Sequence, residues 1–276
     1  MKWFCSFKAY GDLVIACHAL RHCDPSEYGL LAGSHLRALI KEIGFSGQVK
    51  YIEVGRQVPA LFDTRKRGYI QAIRSGFSLR SQLHRCVKSS EDTLVFDTLK
   101  SRQRLLAWPV HSEEIRQGAE NIYLDYARYL GFLAESQGCS VDFGRNLKNI
   151  YIFPDSRINS KELPGFLLDR LVQLNMDYGI ETTVIKVGQP IGIPGGAVFN
   201  VRWVDGFDQL IAQIRACDAI VSADSLPAHV AEYLGIPTFV FTPKANDYWM
   251  PMSAFKEGFF SRFDSVSQYK QWIKQA

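Results

Sequence analysis

The chain has 276 residues, of which 47% are hydrophobic and 13% aromatic, so it can bury a sizeable core and is not intrinsically disordered. A net charge of +4 is too small to indicate a nucleic-acid-binding protein. The six cysteines are scattered without a C-x-x-C pair, which argues against a zinc site or a disulfide framework and is typical of a reducing compartment.

Short apolar runs alternate with amphipathic segments along the chain, a pattern typical of an α/β protein with a largely parallel sheet. In the first half, the predicted strands are 2–7, 49–55 and 92–98, and the predicted helices are 12–22, 30–43 and 113–133. A loose stretch rich in Gly, Ser and polar residues follows at 134–148. In the second half, the predicted strands are 149–154, 181–188, 218–223 and 237–243, and the predicted helices are 163–179, 207–217 and 226–235.

The loose stretch divides the chain into two α/β domains, residues 1–145 and 146–276, with the last helix, 264–276, able to pack back on the first domain. In open α/β sheets, ligands bind beyond the carboxyl ends of the strands. With two such domains, the expected binding site is the cleft between them.

The N-terminal segment is apolar in places, but Lys8 and Asp12 interrupt it and it lacks a small-residue cleavage site. We therefore expect no signal peptide. No uninterrupted apolar run in the sequence approaches the length of a membrane span. These features predict a soluble cytoplasmic protein.

An acid, a hydroxyl and a histidine stand where a predicted strand meets a predicted helix, in the segment A-D-S-L-P-A-H. Asp224 or Ser225 can cap the helix, with Pro227 in its first turn, where Pro is favoured. Capping does not account for His229, one turn further on. A helix N-terminus also binds anions, and a hydroxyl and an imidazole would add donors to the same anion. The residues alone leave capping and anion binding equally open.

A second group of polar side chains, Ser156, Arg157, Ser160 and Lys161, follows the predicted strand that ends near Phe153. Arg can grip a diphosphate with two hydrogen bonds and Lys can act as a point charge, so the group suits a diphosphate. A solvated loop would have the same composition, because Lys is common in loops. Both interpretations stay open.

Near the N-terminus, Gly11 permits a tight turn between the first strand and the first helix, and Asp12 then stands at the helix start. Asp12 can cap this helix. If it faces the cleft instead, it is a candidate general base. The segment is not a dinucleotide-binding fingerprint, because it lacks G-x-G-x-x-G.

Residues 64–90 hold seven cations and no acid. Such a block is often only a solvated face, but in a chain of nearly balanced charge it favours an anionic partner, either a phosphorylated acceptor or an anionic membrane surface. The cations are Arg65, Lys66, Arg67, Arg74, Arg80, Arg85 and Lys88.

The sequence contains no D-x-D triplet and no His, Cys and carboxylate residues at metal-ligand spacing. If the protein uses a nucleotide sugar, we therefore expect cations and a helix N-terminus, rather than a divalent metal, to neutralise the diphosphate leaving group.

Taken together, these segments resemble the bacterial heptosyltransferases, glycosyltransferase family 9. The most specific part is 217–251, which looks like the family's strand, D-[ST]-G-x-x-H motif, Ala-rich helix and downstream W-x-P. The residues in register there are Asp224, Ser225, His229, Gly235, Pro237 and Pro251. Residues 153–164 are similar to the family's serine-then-lysine loop, 9–20 to its N-terminal G-D element, and 94–108 to its D-…-K-S stretch. The resemblance extends over most of the chain except residues 24–90.

The resemblance implies an α/β fold with two Rossmann-like domains facing a cleft (GT-B). It also implies an inverting, metal-independent transfer of a sugar from a nucleotide-diphosphate donor to a bacterial surface glycan such as lipopolysaccharide core, without a cofactor. Asp12 would be the catalytic base. The residues on the acceptor side would be Gly11, Lys100 and Arg102. The residues that bind the donor would be Ser156, Arg157, Lys161, Asp224, Ser225, Leu226 and His229.

Three departures from the family pattern keep other functions open. Leu226 stands where the family usually has Gly, residues 241–247 replace an F-G-P-T turn and bring in Lys244, and Cys17 or His18 stands where Pro is usual. A non-catalytic GT-B homologue that binds a glycan or a partner enzyme is therefore the main alternative. A two-domain nucleotide-sugar epimerase is a third.

Overall fold

The computed structural model describes residues 1–7, 9–53, 69–88, 90–116, 118–132, 147–188, 200–244 and 247–275. The chain divides into two compact units, one made of Met1–Ala119 and Asp125–Gly131, the other of Glu120–Leu124 and Phe132–Ala276. The predicted boundary at 145/146 lies outside the described residues and stays a prediction.

The first unit contains a five-stranded sheet in the order β3-β2-β1-β4-β5, in which all neighbouring strands are parallel. Its strands are β1 Lys2–Ser6, β2 Tyr28–Gly33, β3 Gln48–Ile52, β4 Thr93–Phe96 and β5 His111–Glu114. Its helices are α1 Tyr10–Leu20, α2 Arg37–Ile43, α3 Tyr69–Cys86, α4 Ser101–Ala107 and α5 Ile122–Leu130, although the first turn of α5 belongs to the second unit.

Two predictions for the first unit were wrong. Residues 30–43 were expected to be helical, but Tyr28–Gly33 forms β2, with Leu30 and Leu31 fully buried, and the α-helix begins only at Arg37. A short apolar run fits a buried strand and a helix equally well, and pairing with β1 decides for the strand. The predicted helix 113–133 is also divided. Glu113 lies in the edge strand β5, where Lys2 Nζ contacts its carboxylate at 2.9 Å, and α5 begins at Ile122.

The second unit contains a six-stranded parallel sheet in the order β11-β10-β9-β6-β7-β8. Its strands are β6 Asn149–Phe153, β7 Glu181–Val187, β8 Asn200–Val204, β9 Ala219–Ala223, β10 Thr238–Thr242 and β11 Phe260–Arg262. Its helices are α6 Gly165–Asp177, α7 Phe207–Ala216, α8 Leu226–Leu234, α9 Met252–Glu257 and α10 Ser267–Gln275. The four strands and three helices predicted for this half are confirmed, whereas β8, β11 and α9 were not predicted.

The last helix, α10, buries its apolar face within the second unit. Tyr269 and Trp272 are fully buried against Phe239, and the Tyr269 hydroxyl donates to Asn175 Oδ1 at 2.7 Å. These residues of α10 are thus part of the second unit's core, and the packing of this helix on the first domain stays a prediction. Within the described ranges, no helix is both long and apolar enough to cross a membrane.

Candidate functional site

The candidate site of the second unit lies at the carboxyl ends of β6 and β9. These strands are parallel neighbours, with Phe153 opposite Ser222, so the segments that follow them meet at one edge of the sheet. There, Lys161, at the end of a single 3₁₀ turn, places its Nζ 2.6 Å from Asp224 Oδ2. The Asp224 side chain is 6% exposed and that of Lys161 is 29% exposed. One residue from each of the two groups of polar residues singled out in the sequence, Lys161 and Asp224, is thus in direct contact.

The start of α8 has no side-chain cap. Ser225 occupies the N-cap position with extended backbone, but its side chain makes no capping hydrogen bond. The Ser225 hydroxyl is buried and has no hydrogen-bond partner among the described residues. Of the first three residues of α8, Pro227 has no N–H and the Ala228 N–H donates to the Ser225 carbonyl oxygen at 3.2 Å, so it is the Leu226 N–H that lacks a side-chain cap. Since a buried hydroxyl without a partner is energetically costly, this end of α8 is suited to an anionic ligand.

His229 lies one turn along α8 and is buried. Its Nδ1 is 3.0 Å from the hydroxyl of Tyr123. Burial lowers the pKa of His229 to about 4, while Asp224 raises it and Lys161 lowers it. The imidazole is therefore neutral at pH 7, and it can donate one hydrogen bond and accept another.

The depressed pKa of His229 predicts a pH dependence of stability. In the unfolded chain this imidazole takes up a proton near its ordinary pKa, whereas the folded protein resists protonation until about pH 4. Above pH 7, His229 therefore does not change the free energy of unfolding. As the pH falls from about 6.5 towards 4, protonation of this imidazole in the unfolded chain lowers the free energy of unfolding. We expect the free energy of unfolding to fall by about 2 kcal/mol between pH 7 and pH 5 because of this group.

Urea unfolding of the wild type and of His229→Gln at both pH values measures this contribution. The variant removes the titrating group, so its free energy of unfolding should fall less with acid than that of the wild type, by the stated amount. Equal acid sensitivity of the two proteins would show that His229 is not held neutral in the folded state.

Tyr123 was not identified from the sequence. It lies in the first turn of α5, in the short segment Glu120–Leu124 that belongs to the second unit. Asn121 holds this segment, because its Nδ2 donates to the carbonyl oxygens of Asp247 and Met250 at 3.0 Å each. Asn121 Oδ1 also accepts from the Tyr123 N–H at 2.9 Å, as an N-cap residue does. An Asn just before an apolar run is a helix-start signal that could have located this turn, but not its contact with His229.

The loop after β6 uses some of its polar groups internally. The Ser156 hydroxyl accepts a hydrogen bond from the Ile158 N–H at 3.3 Å, and Arg157 is exposed. Asp155, which the sequence analysis did not single out, accepts from the Val187 N–H at 2.8 Å and pairs with Lys186 Nζ at 3.5 Å. These contacts hold the loop against the end of β7.

The predicted residues of the first unit follow its central strands. The helix α1 begins at Tyr10 with Ala9 as N-cap, so Asp12 is not the N-cap residue that one interpretation of the sequence made it. Asp12 is half-buried in the first turn, and Gly11 is part of that turn rather than of a connection before it. Lys100 is the exposed N-cap residue of α4. Because β1 and β4 are parallel neighbours, Asp12 and Lys100 both follow strands that end at the same edge of the sheet.

Two further observations concern Arg102 and the groups that could hold a metal. Arg102 lies in α4, but its side chain is outside the description. In the part of the chain that the structure describes, no group of three or more His, Cys, Asp or Glu residues is placed to hold a metal ion.

No protein-family model and no curated protein matches the chain. Solved structures match it along its whole length. E. coli heptosyltransferase WaaC with ADP is 14% identical, with a TM-score of 0.61 and full coverage of both chains. A family 9 glycosyl transferase from Veillonella parvula is 15% identical, with a TM-score of 0.61, and is covered to 91%. The E. coli ADP-heptose lipopolysaccharide heptosyltransferase II is 15% identical, with a TM-score of 0.53, and is covered to 97%.

At these identities the likeness concerns the fold. The chain has the α/β fold of the heptosyltransferases, with two parallel sheets and interleaved helices. The predicted fold class and the resemblance to glycosyltransferase family 9 are thus confirmed at the level of the fold.

Proposed function

We propose that the protein is an inverting, metal-independent glycosyltransferase that moves a sugar from a nucleotide-diphosphate donor to a bacterial surface glycan or lipopolysaccharide core. The observation that carries the proposal is the cluster at the start of α8, where Lys161 contacts Asp224 beside the unpartnered hydroxyl of Ser225. The fold shared with a heptosyltransferase bound to ADP supports it.

The groups around this helix start match the needs of a leaving diphosphate. Lys161 supplies a cation, and the start of α8 supplies the Leu226 N–H and the positive end of the helix dipole. Ser225 and the neutral imidazole of His229 can add hydrogen bonds without adding charge. Arg157 is exposed on the neighbouring loop and can reach outward for the same anion. In this proposal these donors neutralise the leaving group, which is why no metal is needed.

The leucine at position 226 is compatible with this binding of a diphosphate. It is the first residue of α8, and no described residue other than glycine has a positive φ, so the backbone does not require Gly at this position. A leucine here narrows the approach of a phosphate to the backbone. Side-chain donors therefore carry more of the proposed contact with the diphosphate than backbone N–H groups do.

We propose Asp12 as the base. It would take the proton of an acceptor hydroxyl while that oxygen forms a bond to the anomeric carbon and the bond from this carbon to the diphosphate breaks. A single displacement of this kind inverts the anomeric centre. Gly11, Lys100 and Arg102 are proposed to lie on the acceptor side.

The acceptor is proposed to be an anionic glycan or glycolipid, because residues 64–90 hold seven cations and no acid. We propose a cytoplasmic location, with peripheral contact at the inner face of the membrane through 65–88, of which 65–68 lie outside the described residues. ADP-heptose is the first donor to test, since it is the donor named for a protein of the same fold.

Nucleotide binding tests the proposal directly. We expect one series among ADP, UDP, GDP and their sugars to raise the thermal unfolding temperature in the presence of EDTA. A ligand at a concentration of 100 times its Kd increases the free energy of unfolding by about 2.7 kcal/mol, and this raises the unfolding temperature by several degrees. If no nucleotide or nucleotide sugar protects the protein, the glycosyltransferase proposal is wrong.

The second candidate is a GT-B homologue that binds a glycan or a partner enzyme without catalysis. Leu226 favours it, and so does the changed turn after β10, where Thr242 donates to the carbonyl oxygen of Lys244 at 2.8 Å. Nucleotide binding without sugar transfer to any of a broad panel of acceptors would select this alternative. Conversion of the donor sugar without an acceptor would select an epimerase.

A further inference from the structure

Three large apolar side chains are exposed on the first unit, on or just after the adjacent helices α3 and α4. Phe77 is 67% exposed, Leu105 is 69% exposed and Trp108 is 66% exposed. Apolar side chains exposed as a group usually mark an interaction site. We refer to these three residues, together with Arg80, as the α3–α4 surface.

Arg80 of α3 contacts Trp108, which follows α4. Its Nη2 donates to the carbonyl oxygen of Trp108 at 2.7 Å, and its guanidinium lies 5.2 Å from the centre of the Trp108 ring. Phe77 is three residues before Arg80 in α3 and shares its side of the helix. Leu105 is three residues before Trp108. The Arg80–Trp108 contact thus links the exposed side of α3 to the end of α4, and Phe77 and Leu105 each lie within three residues of it along the chain.

The opposite sides of both helices are buried in the core. Leu79 and Leu83 of α3 are buried with Leu106 and Ala107 of α4 in one cluster beneath the first sheet. Since the helices already bury these residues, the exposed side chains are not needed to hold α3 and α4 in place.

The two helices and the residues next to them carry mainly positive charge, although Lys88 pairs with Glu91 at 3.4 Å. By sequence, the stretches 69–88 and 99–112 together hold seven cations and no acid. The cations are Arg74, Arg80, Arg85, Lys88, Lys100, Arg102 and Arg104. Among them, Arg74, Arg85, Lys88, Lys100 and Arg104 are exposed. Aromatic and leucine side chains within a cationic surround match the boundary between anionic lipid headgroups and acyl chains.

We propose that the α3–α4 surface docks the protein on an anionic lipid bilayer. Phe77, Leu105 and Trp108 enter the headgroup boundary, and the cations bind lipid phosphates. A second copy of the chain is a poorer occupant, because a symmetric contact would bring two mainly cationic surfaces together. The proposal rests on the proposed function only in that a glycolipid acceptor would be presented at a bilayer.

Sedimentation of the full chain with vesicles tests the docking. We expect the wild type to bind vesicles that contain phosphatidylglycerol, to bind pure phosphatidylcholine vesicles at least about tenfold more weakly, and to dissociate as salt is raised. The double variant F77S/W108S should bind the anionic vesicles at least about tenfold more weakly than the wild type.

Phe166→Ser is the matched control, because Phe166 is an equally exposed aromatic residue (66%) on the second unit. It should bind vesicles like the wild type. Thermal unfolding checks that all variants are folded, and nucleotide affinity should be the same in each. If the wild type itself binds no nucleotide, the proposed function is wrong, whereas the docking result is unaffected.

Three outcomes would overturn the docking proposal. The wild type could fail to bind anionic vesicles, or it could bind both kinds of vesicle equally well. Alternatively, F77S/W108S could retain vesicle binding but lose a concentration-dependent dimer seen by light scattering, which would assign the surface to self-association.

Discussion

Replacing Asp12 by alanine is expected to lower kcat about 10³-fold in a sugar-transfer assay with a lipopolysaccharide-core acceptor. The physical reason is that an acceptor hydroxyl is a weak nucleophile unless a carboxylate removes its proton as the new bond forms. Donor affinity should stay within a few fold of the wild-type value, because the groups proposed to bind the diphosphate lie in the second unit. Isothermal titration with the donor and initial-rate kinetics give the two quantities separately.

Asp24→Ala is a suitable control for Asp12→Ala. Asp24 is an exposed acid of the same unit, and its Oδ1 accepts a hydrogen bond from the Ser26 N–H at 2.8 Å. It should keep wild-type kcat. Retained turnover in Asp12→Ala would remove the base role from this residue, and an equal loss in both variants would point to a general effect of charge.

Replacing Lys161 by methionine is expected to raise the Kd of the donor nucleotide about 100-fold. Methionine keeps much of the side-chain volume but removes the charge that is proposed to contact the diphosphate. It also leaves the Asp224 carboxylate without its 2.6 Å partner, so that this buried charge repels the incoming anion. Calorimetric titration in EDTA measures the change.

Two further variants separate the roles of Lys161. Lys270→Met makes the same change in net charge at an exposed position of α10 and should leave Kd unchanged. The double variant K161M/D224N removes both charges of the pair. If it restores wild-type affinity, Lys161 serves only to neutralise Asp224. If affinity stays low, the ammonium itself contacts the donor.

The second unit was predicted well because its central strands carry strong local signals. In β6, β9 and β10, nearly continuous apolar runs end at polar residues, as expected for parallel strands covered on both faces. The first unit was predicted less well. Its strand β2 is a short run that also fits a helix, and its edge strand β5 carries a polar sequence with no buried stripe.

The site was predictable to the extent that it depends on strand order. Lys161 and Asp224 each follow a strand, so a parallel sheet with β6 beside β9 brings them together. The contact between Tyr123 and His229 joins residues 106 apart in sequence, and no local pattern marks it. The low pKa of His229 likewise depends on burial by the surrounding fold.

The Lys161–Asp224 ion pair has a consequence for selectivity. Before any donor arrives, the positive charge at this end of α8 is already balanced by a carboxylate at hydrogen-bonding distance. A simple anion such as inorganic phosphate therefore meets a locally neutral surface and must compete with Asp224 for the ammonium. A ligand that also brings a sugar and a nucleoside can offset that competition with contacts elsewhere. We therefore expect the Asp224 carboxylate to weaken the binding of small anions at the position where a diphosphate is proposed to bind.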